Sequence, residues 1–417
     1  MSFVDVVFFI YVFIGLYMLS LYLFLYIPNR KVLFDYPQGK PEPVSIIMPC
    51  YNAGKNIGKA IEHLLSLNYP KGMLEIIVVD DKSQDDSVKV INKYVSKYNN
   101  VRLIVNKRNS GGAAEPTNLG IAAAKYNYIA VADDDSFPDK DALLKMIGFL
   151  QSNKKVGGVT CAVLAQHPNN FIQRLQSIEY AIIAFNRKLF DLIDAVYVTP
   201  GPFALYRKKT LIEIGLFDTN NLTQDIEIVW RMLSRGYVAR MCLATHVKSE
   251  TPHKFSMWFK QRVRWNIGGL QTLIKYKSLL FRKGMLGAFI IPFFSISLFI
   301  GLFGLGLFIY LMSKRFIVAY LSTKYSVYAS TAILSLQDFT FSPSILNFFG
   351  IALFVLGSAF SIFGLSVMKQ RDMRNDSFFN IGFYLVVYLA IYPFIMITGL
   401  YKYWRRTYSW STRNING

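Results

Sequence analysis

Cysteine is scarce in this chain: Cys50, Cys161 and Cys242 are the only three in 417 residues, far apart and without a CxxC pair. That excludes a disulfide scaffold and a redox motif, and it reads as ordinary buried thiols of a reducing compartment. Histidine is nearly as rare, and His63, His167, His246 and His253 are too scattered for a zinc site. There is no internal repeat and no low-complexity stretch, which excludes solenoids and disordered arrays. Acidic residues are outnumbered, 26 against 46 lysines and arginines, for a net charge of +20. The basic residues are spread among apolar-block flanks and surface helices, not gathered in one aromatic-interleaved stripe. This pattern argues against nucleic acid as a partner and for a membrane face and anionic substrates.

Apolar residues are in surplus. They make up 53% of the chain, and its mean hydropathy is positive, enough to bury a full catalytic domain with apolar sequence left over. The surplus falls in blocks. Residues 6–27 carry no charge, about 33 Å of helix at ~1.5 Å per residue, which spans a bilayer. Similar blocks recur at 285–312, 345–368 and 379–401. The first is too long for a signal peptide, has no basic region before it and no small-residue cleavage site after it, and is expected to be retained. Asp5 is the only charge before it, and Arg30 and Lys31 follow, so the positive-inside rule predicts a cytoplasmic soluble region.

Four spans would leave the tail outside, against the sign of Lys402, Arg405, Arg406 and Arg413. A fifth span at 316–336 would bring it in, but Lys324 and many hydroxyls make that stretch poor, and it would strand Lys369, Arg371 and Arg374 outside. Four spans are the expectation. The predicted organisation is a transmembrane helix over 1–30, a soluble domain over 31–254, amphipathic interface helices over 255–284, about three transmembrane helices over 285–404, and a tail over 405–417.

Within the soluble region, residues 44–48, 75–80, 101–105 and 128–132 are short, strand-like runs, while 56–67, 87–98, 112–125 and 140–151 have helical spacing. Repeated βα units predict an α/β, Rossmann-like, mostly parallel sheet covered on both faces. A longer helix is expected over 171–190, then the apolar run 195–199, a Pro-Gly-Pro turn and a short β segment at 203–206. Residues 255–283 mix Phe255, Trp258, Phe259 and Trp265 with Lys260, Arg262, Arg264 and Lys275. Such a basic, aromatic helix is expected to lie along the membrane surface; packing on the soluble domain alone is the other reading.

Asp133-Asp134-Asp135 follows the 128–132 run. Open α/β sheets bind ligands at the carboxyl edge of their strands, and an extended triplet would project Asp133 and Asp135 to one side and Asp134 to the other. Two hard carboxylates so placed suit Mg²⁺ or Mn²⁺, ions that also take oxygens from a substrate diphosphate. Alone, the triplet reads equally as an acidic loop start. The first strand runs into Pro49, Cys50, Tyr51 and Asn52, leaving backbone groups free at the sheet edge. The second ends in Asp80-Asp81-Lys82-Ser83. An acid there can accept hydrogen bonds from a uracil imide or ribose hydroxyls, or equally cap the next helix.

Together and in this order, the three elements resemble the nucleotide-sugar half of the family 2 glycosyltransferases, which have the GT-A fold; the likeness covers residues 44–136. It implies that Pro49, Tyr51 and Asp81 line the nucleoside site and that Asp133 and Asp135 hold a metal-bound diphosphate. Asn109-Ser110-Gly111-Gly112-Ala113-Ala114 through Asn118-Leu119-Gly120 resembles the family's small-residue helix start near the donor. It lacks the Gly-Lys that many membrane members carry there. Thr199-Pro200-Gly201-Pro202-Phe203-Ala204-Leu205-Tyr206-Arg207 resembles the acceptor-site turn and strand, close to the version in hyaluronan synthases, and places Gly201 at the acceptor. Thr223-Gln224-Asp225 corresponds to the family's Thr-Glu-Asp, whose Asp is the general base, with Gln in place of Glu. Helix capping is the other reading of Thr223 and Asp225, because 226–233 looks helical.

Gln261-Arg262-Val263-Arg264-Trp265 fits QxxRW, the signature of membrane-embedded, often processive members similar to hyaluronan, chitin, cellulose and poly-N-acetylglucosamine synthases. Arg264 can neutralise a diphosphate leaving group, and Trp265 offers a flat face to an acceptor sugar beside Gln261. The resemblance implies a multi-pass cell-membrane enzyme: a metal-dependent, inverting glycosyltransferase in which Asp225 takes the acceptor's proton. The expected donor is a nucleotide-diphosphate sugar, UDP-linked, and the expected acceptor a growing polysaccharide passed outward through the spans. Transfer of one sugar to a lipid is an alternative. So is a catalytically silent, glycosyltransferase-like subunit, supported by Gln224 and the missing Gly-Lys.

Overall fold

Strands β1 (Val44–Cys50) and β2 (Leu74–Asp80) are buried at every position. Continuous apolar runs of this kind have no solvated face and require helices above and below the sheet. The computed structural model, which describes residues 3–328, 345–369 and 377–408, supplies them. Helix α1 (Phe3–Asn29) precedes β1, and α2 (Ile57–Leu65) joins β1 to β2. Then follow α3 (Ser87–Lys97), β3 (Val101–Val105), α4 (Ala114–Ala123), β4 (Tyr128–Val131), β5 (Ser136–Pro138) and α5 (Ala142–Ser152). The second half contains β6 (Val156–Ala165), α6 (Phe171–Asp191), β7 (Ala204–Arg207), α7 (Lys208–Ile214), α8 (Gln224–Ser234), β8 (Val238–Ser249) and α9 (Phe255–Tyr276).

The eight strands form one sheet in the order β3-β2-β1-β4-β7-β6-β8-β5. β3, β2, β1 and β4 are parallel, so their carboxyl ends share one edge. β7 runs antiparallel to both β4 and β6, and β5 to β8, while β6 and β8 are parallel. The first half is thus the parallel sheet expected; the second half makes the whole sheet mixed. Helices α2, α3 and α5 cover one face. The other face packs on α4, α6, α8 and α9, and this core continues into Ile290, Leu365, Tyr388 and Ile395 of the apolar helices. Each fully buried Ile, Leu or Phe side chain contributes about 1.5–3 kcal/mol, so the soluble and apolar regions stabilise one another.

Among the described residues, three helices are long and apolar enough to cross a membrane: Asp5–Asn29, Leu286–Tyr328 and Phe349–Met368. They correspond to the first three apolar blocks and make this a membrane protein. The middle one includes α10 (Ile291–Tyr328), and the third lies in α11 (Ile345–Lys369). The described part of the weak 316–336 stretch is a continuation of α10, and 329–336 lie outside the described residues. The fourth block is a bent pair, Phe378–Tyr388 and Tyr392–Arg405, 44° apart, which begins with α12 (Phe378–Phe383) and ends with α13 (Tyr392–Arg405). The tail from 409 lies outside the described residues.

Candidate active site

At the carboxyl edge of the parallel strands, the loops after β1 and β2 are tied to each other. Asn52 N donates to Ser83 Oγ at 2.9 Å, Gln84 N donates to Asn52 Oδ1 at 2.8 Å, and Gly54 N donates to Asp85 Oδ2 at 2.9 Å. Tyr51 is half-buried in this crossing. Pro49 is buried within β1, paired with Val79, so it shapes the floor of the edge from inside the sheet. Asp81 is buried, and its carboxylate accepts from Ser110 N at 2.9 Å, Ser110 Oγ at 2.8 Å and Asn106 Nδ2 at 2.8 Å. A carboxylate offers about four acceptor sites, so most of its capacity already secures the small-residue segment ahead of α4.

The acidic triplet is not extended. β4 stops at Val131, Asp134 and Asp135 form a turn, and Ser136 N closes it onto Asp133 O at 3.2 Å. The alternation survives in burial: Asp133 and Asp135 are half-buried and Asp134 is buried. Among the described residues no three His, Cys, Asp or Glu gather into a metal cage. Two hard carboxylates fit an ion that takes its remaining oxygens from water and a diphosphate.

The turn around Gly201 abuts Asp133. A Cβ on Gly201 would lie 2.9 Å from Asp133 Oδ2, so only glycine leaves room there for the carboxylate. Just before it, Thr199 N donates to Asp225 O at 3.2 Å, and Thr199 Oγ1 shares a 2.7 Å hydrogen bond with Tyr206 Oη. Asp225 sits in the first turn of α8. Burial raises its carboxyl above the usual carboxylate range, against the pull of Arg264 from α9 and Arg187 from α6. Burial likewise depresses the Arg264 guanidinium, while Asp225 and Asp133 draw it back up. Arg264 thus connects the two carboxylates electrostatically.

Helix α9 holds this arrangement with one face. Arg264 Nη1 donates to Leu222 O at 3.2 Å, Gln271 Oε1 accepts from Leu222 N at 2.9 Å, and Thr272 Oγ1 accepts from Asn221 Nδ2 at 2.9 Å. Gly268 lies against Thr223. Positions 264, 268, 271 and 272 recur at helical spacing and face one way. They clamp the residues just ahead of Asp225. A cleft of about 330 Å³, open to solvent, separates Gly111–Ala114 from this loop, and Gln224 lines it with its Oε1 buried and without a hydrogen-bond partner.

Gln261 and Trp265 are both half-buried and both engaged by Arg262. Arg262 Nη1 donates to Gln261 Oε1 at 2.5 Å, and its guanidinium lies over the Trp265 ring, 4.1 Å from the centroid. One face of Trp265 is therefore taken by a cation. Arg262 is itself ion-paired with Glu179 of α6, both side chains nearly inaccessible at 1% and 3% exposure. A second buried carboxylate, Glu227 of α8, accepts from Lys275 Nζ at 2.7 Å and Tyr276 Oη at 2.8 Å. Together they fix both ends of α9 to the soluble domain. Glu179, Arg187 and Glu227 carried no motif, and their neighbours in sequence include other polar and charged residues, so no local signal set them apart.

Residues 45–215 match the family model described as Glycosyl transferase family 2. The chain is 30% identical over 283 residues to a poly-beta-1,6-N-acetyl-D-glucosamine synthase of Staphylococcus aureus, covering 66% of this chain and 67% of that protein. It is 31% identical over 248 residues to the enzyme of the same name from Staphylococcus epidermidis, covering 59% of each. Among solved structures, it resembles a mannosyltransferase from Pyrobaculum calidifontis in complex with GDP-Man and Mn²⁺, with a TM-score of 0.55, 15% identity, and coverage of 97% of this chain and 99% of the other.

Proposed function

The chain belongs to glycosyl transferase family 2, and on that premise we propose that it is a membrane-bound, inverting synthase that lengthens a polysaccharide from a nucleotide-diphosphate sugar. The observation that carries the reading is the meeting of Asp225, Asp133 and Arg264 beneath the Gly201 turn. Asp225 is the general base: its carboxylate, kept basic by burial, takes the proton of the attacking hydroxyl, a contribution of about 10²–10⁴-fold. Arg264 faces the leaving diphosphate and offsets its charge. Asp133 and Asp135 would hold Mg²⁺ or Mn²⁺, which supplies Lewis-acid stabilisation of the diphosphate when bound. Asp81, with Pro49 and Tyr51, forms the nucleoside side, using the acceptor capacity that Ser110 and Asn106 leave. Trp265 presents its second face to the acceptor sugar beside Gly201 and Gln261.

Arg30 and Lys31 after α1 support a soluble domain on the cytoplasmic face. The names of the two staphylococcal relatives make N-acetylglucosamine the first sugar to test, delivered as its UDP derivative. Membranes containing the protein are incubated with labelled UDP-N-acetylglucosamine and Mg²⁺ or Mn²⁺, and products are separated into polymeric and lipid-extractable fractions. Label in a long, enzyme-digestible polymer supports the proposal. Label confined to a small glycolipid makes the protein a single-transfer enzyme, and no transfer from any of a panel of UDP- and GDP-sugars refutes the reading.

A further inference from the structure

The apolar helices meet the catalytic domain in two different ways. α1, α10 and α11 reach it at one end. Tyr22 and Tyr26 of α1 pack on Phe190 and Phe185 of α6 at ring separations of 5.6 and 5.9 Å. Phe289 and Phe293, at the start of the second long helix, lie 5.2 and 5.4 Å from Phe190, and Phe360 of α11 lies 5.7 Å from Phe185. Farther along, these helices meet one another: Tyr11 Oη donates to Ile300 O at 2.6 Å, and Phe8 lies beside Gly350. Helices that leave a domain and cross a bilayer look like this.

The pair α12 and α13 instead touches the domain along its whole length. Phe379 and Phe383 pack on Phe171 of α6 at 6.1 and 4.9 Å. Next, Tyr388 Oη and Tyr392 Oη both donate to Glu179, the former at 2.8 Å, and Trp258 Nε1 donates to Tyr388 Oη at 2.6 Å. Gly399 lies against Asn266, and beyond α13 Gln271 Nε2 reaches Tyr408 Oη at 3.5 Å. Those anchors belong to α6 or α9, and α9 is itself fastened to the domain from Arg262 to Tyr276; between them Met396 of α13 also lies against Gly301 of α10. From Phe378 to Arg405 the helical path is roughly 40 Å at ~1.5 Å per residue, enough to cross a hydrocarbon core of about 30 Å. Yet both of its ends rest on the same domain.

We infer that this pair does not cross the membrane: it stays on the catalytic side along α6 and α9, pinned by Glu179 and reaching α10 where Met396 meets Gly301, and forms part of the wall beside α9. Its outward side chains suit that position, since Val386, Leu389, Phe394 and Ile397 are all exposed and apolar. With three crossings, Arg30 and Lys31 and then Lys402, Arg405 and Arg406 fall on one side, as the positive-inside rule favours, while Lys314, Arg315 and Lys324 toward the far end of α10 fall on the other. A fourth crossing would separate Lys402, Arg405 and Arg406 from Arg30 and Lys31.

Single-cysteine labelling tests this independently of what Asp225 does. Cys50, Cys161 and Cys242 are buried at 0–2% exposure, so the full chain with one added surface cysteine reports one position. Lys93→Cys marks the catalytic domain, Lys324→Cys the far end of α10, and Ser377→Cys and Thr407→Cys flank the pair; all four positions are exposed. Because Ser377 caps α12 by accepting from Asn380 N at 3.3 Å, Phe378→Cys, at 91% exposure, serves as a second reporter there. With a membrane-impermeant maleimide, positions 377, 378 and 407 are expected to label together with position 93, and only position 324 from the opposite face. Labelling of 377 and 407 from opposite faces, or of both from the face of 324, overturns the inference.

Discussion

Gly268 and Thr223 are in contact so close that a Cβ on Gly268 would come within 2.2 Å of Thr223 Oγ1. The helix carrying the QxxRW segment thus seats directly on the residues that precede Asp225. Overpacking of this kind costs about 1–3 kcal/mol. Gly268→Ala is expected to displace Arg264 from Asp225 and lower kcat; a misplacement that raises the barrier by ~1.4 kcal/mol would show as a tenfold loss. Steady-state kinetics in membranes would show it, and a wild-type kcat would mean that the clamp does not position the site.

Asp225→Asn keeps the shape of the first turn of α8 and removes the proposed base. Donor binding should persist while sugar transfer drops by about 10²–10⁴-fold. Donor affinity by calorimetry, set beside turnover, separates a lost base from a lost fold; near-normal turnover would remove the assignment.

The acidic limb of the pH profile follows from the environment of Asp225. The base works only when ionised, and burial raises its pKa, so activity should fall away at a pH above the ~3.9 of an ordinary aspartate. Arg187 favours the carboxylate. Arg187→Gln should therefore move the limb of kcat/KM upward. A limb that stays or moves down would show that Asp225 does not govern it.

Asp133→Asn and Asp135→Asn each remove half of the proposed metal donors. Chelation should abolish transfer, readdition of Mn²⁺ should restore it, and each variant should need a higher Mn²⁺ concentration for half-maximal activity. Full activity in the presence of chelator would exclude a divalent ion from the reaction.

Glu179→Gln leaves the Arg262 guanidinium buried beside a neutral amide. Breaking a buried pair from one side typically costs about 3–5 kcal/mol, more than replacing both partners. Thermal unfolding in detergent should show Glu179→Gln as the less stable variant and the double variant Glu179→Gln/Arg262→Met as partly recovered. If the double variant is the weaker, the pair is not acting as a unit.

The sequence by itself determined the parallel first half of the sheet, the three long apolar helices and the motifs from which the proposed site is argued. These rest on local signals: short apolar runs, helical spacing, and motifs whose members stand next to one another. β6 and β8 escaped that reading because Gly157-Gly158 imitates a turn inside the first, and because Arg240, His246 and Lys248 break the apolar run of the second. Tertiary structure alone decided the turn that bends Asp134 and Asp135 out of the strand, the hydrogen bonds that occupy Asp81, and the seating of α9. It also decided which buried charges matter. Glu179 and Arg262 are separated by 83 residues, and an ion pair of that span exists only once α6, α9 and the last apolar helices pack together. The same packing distinguishes a helix pair that lies against the domain from one that crosses a membrane, since hydropathy measures how apolar a segment is and not what its two ends touch.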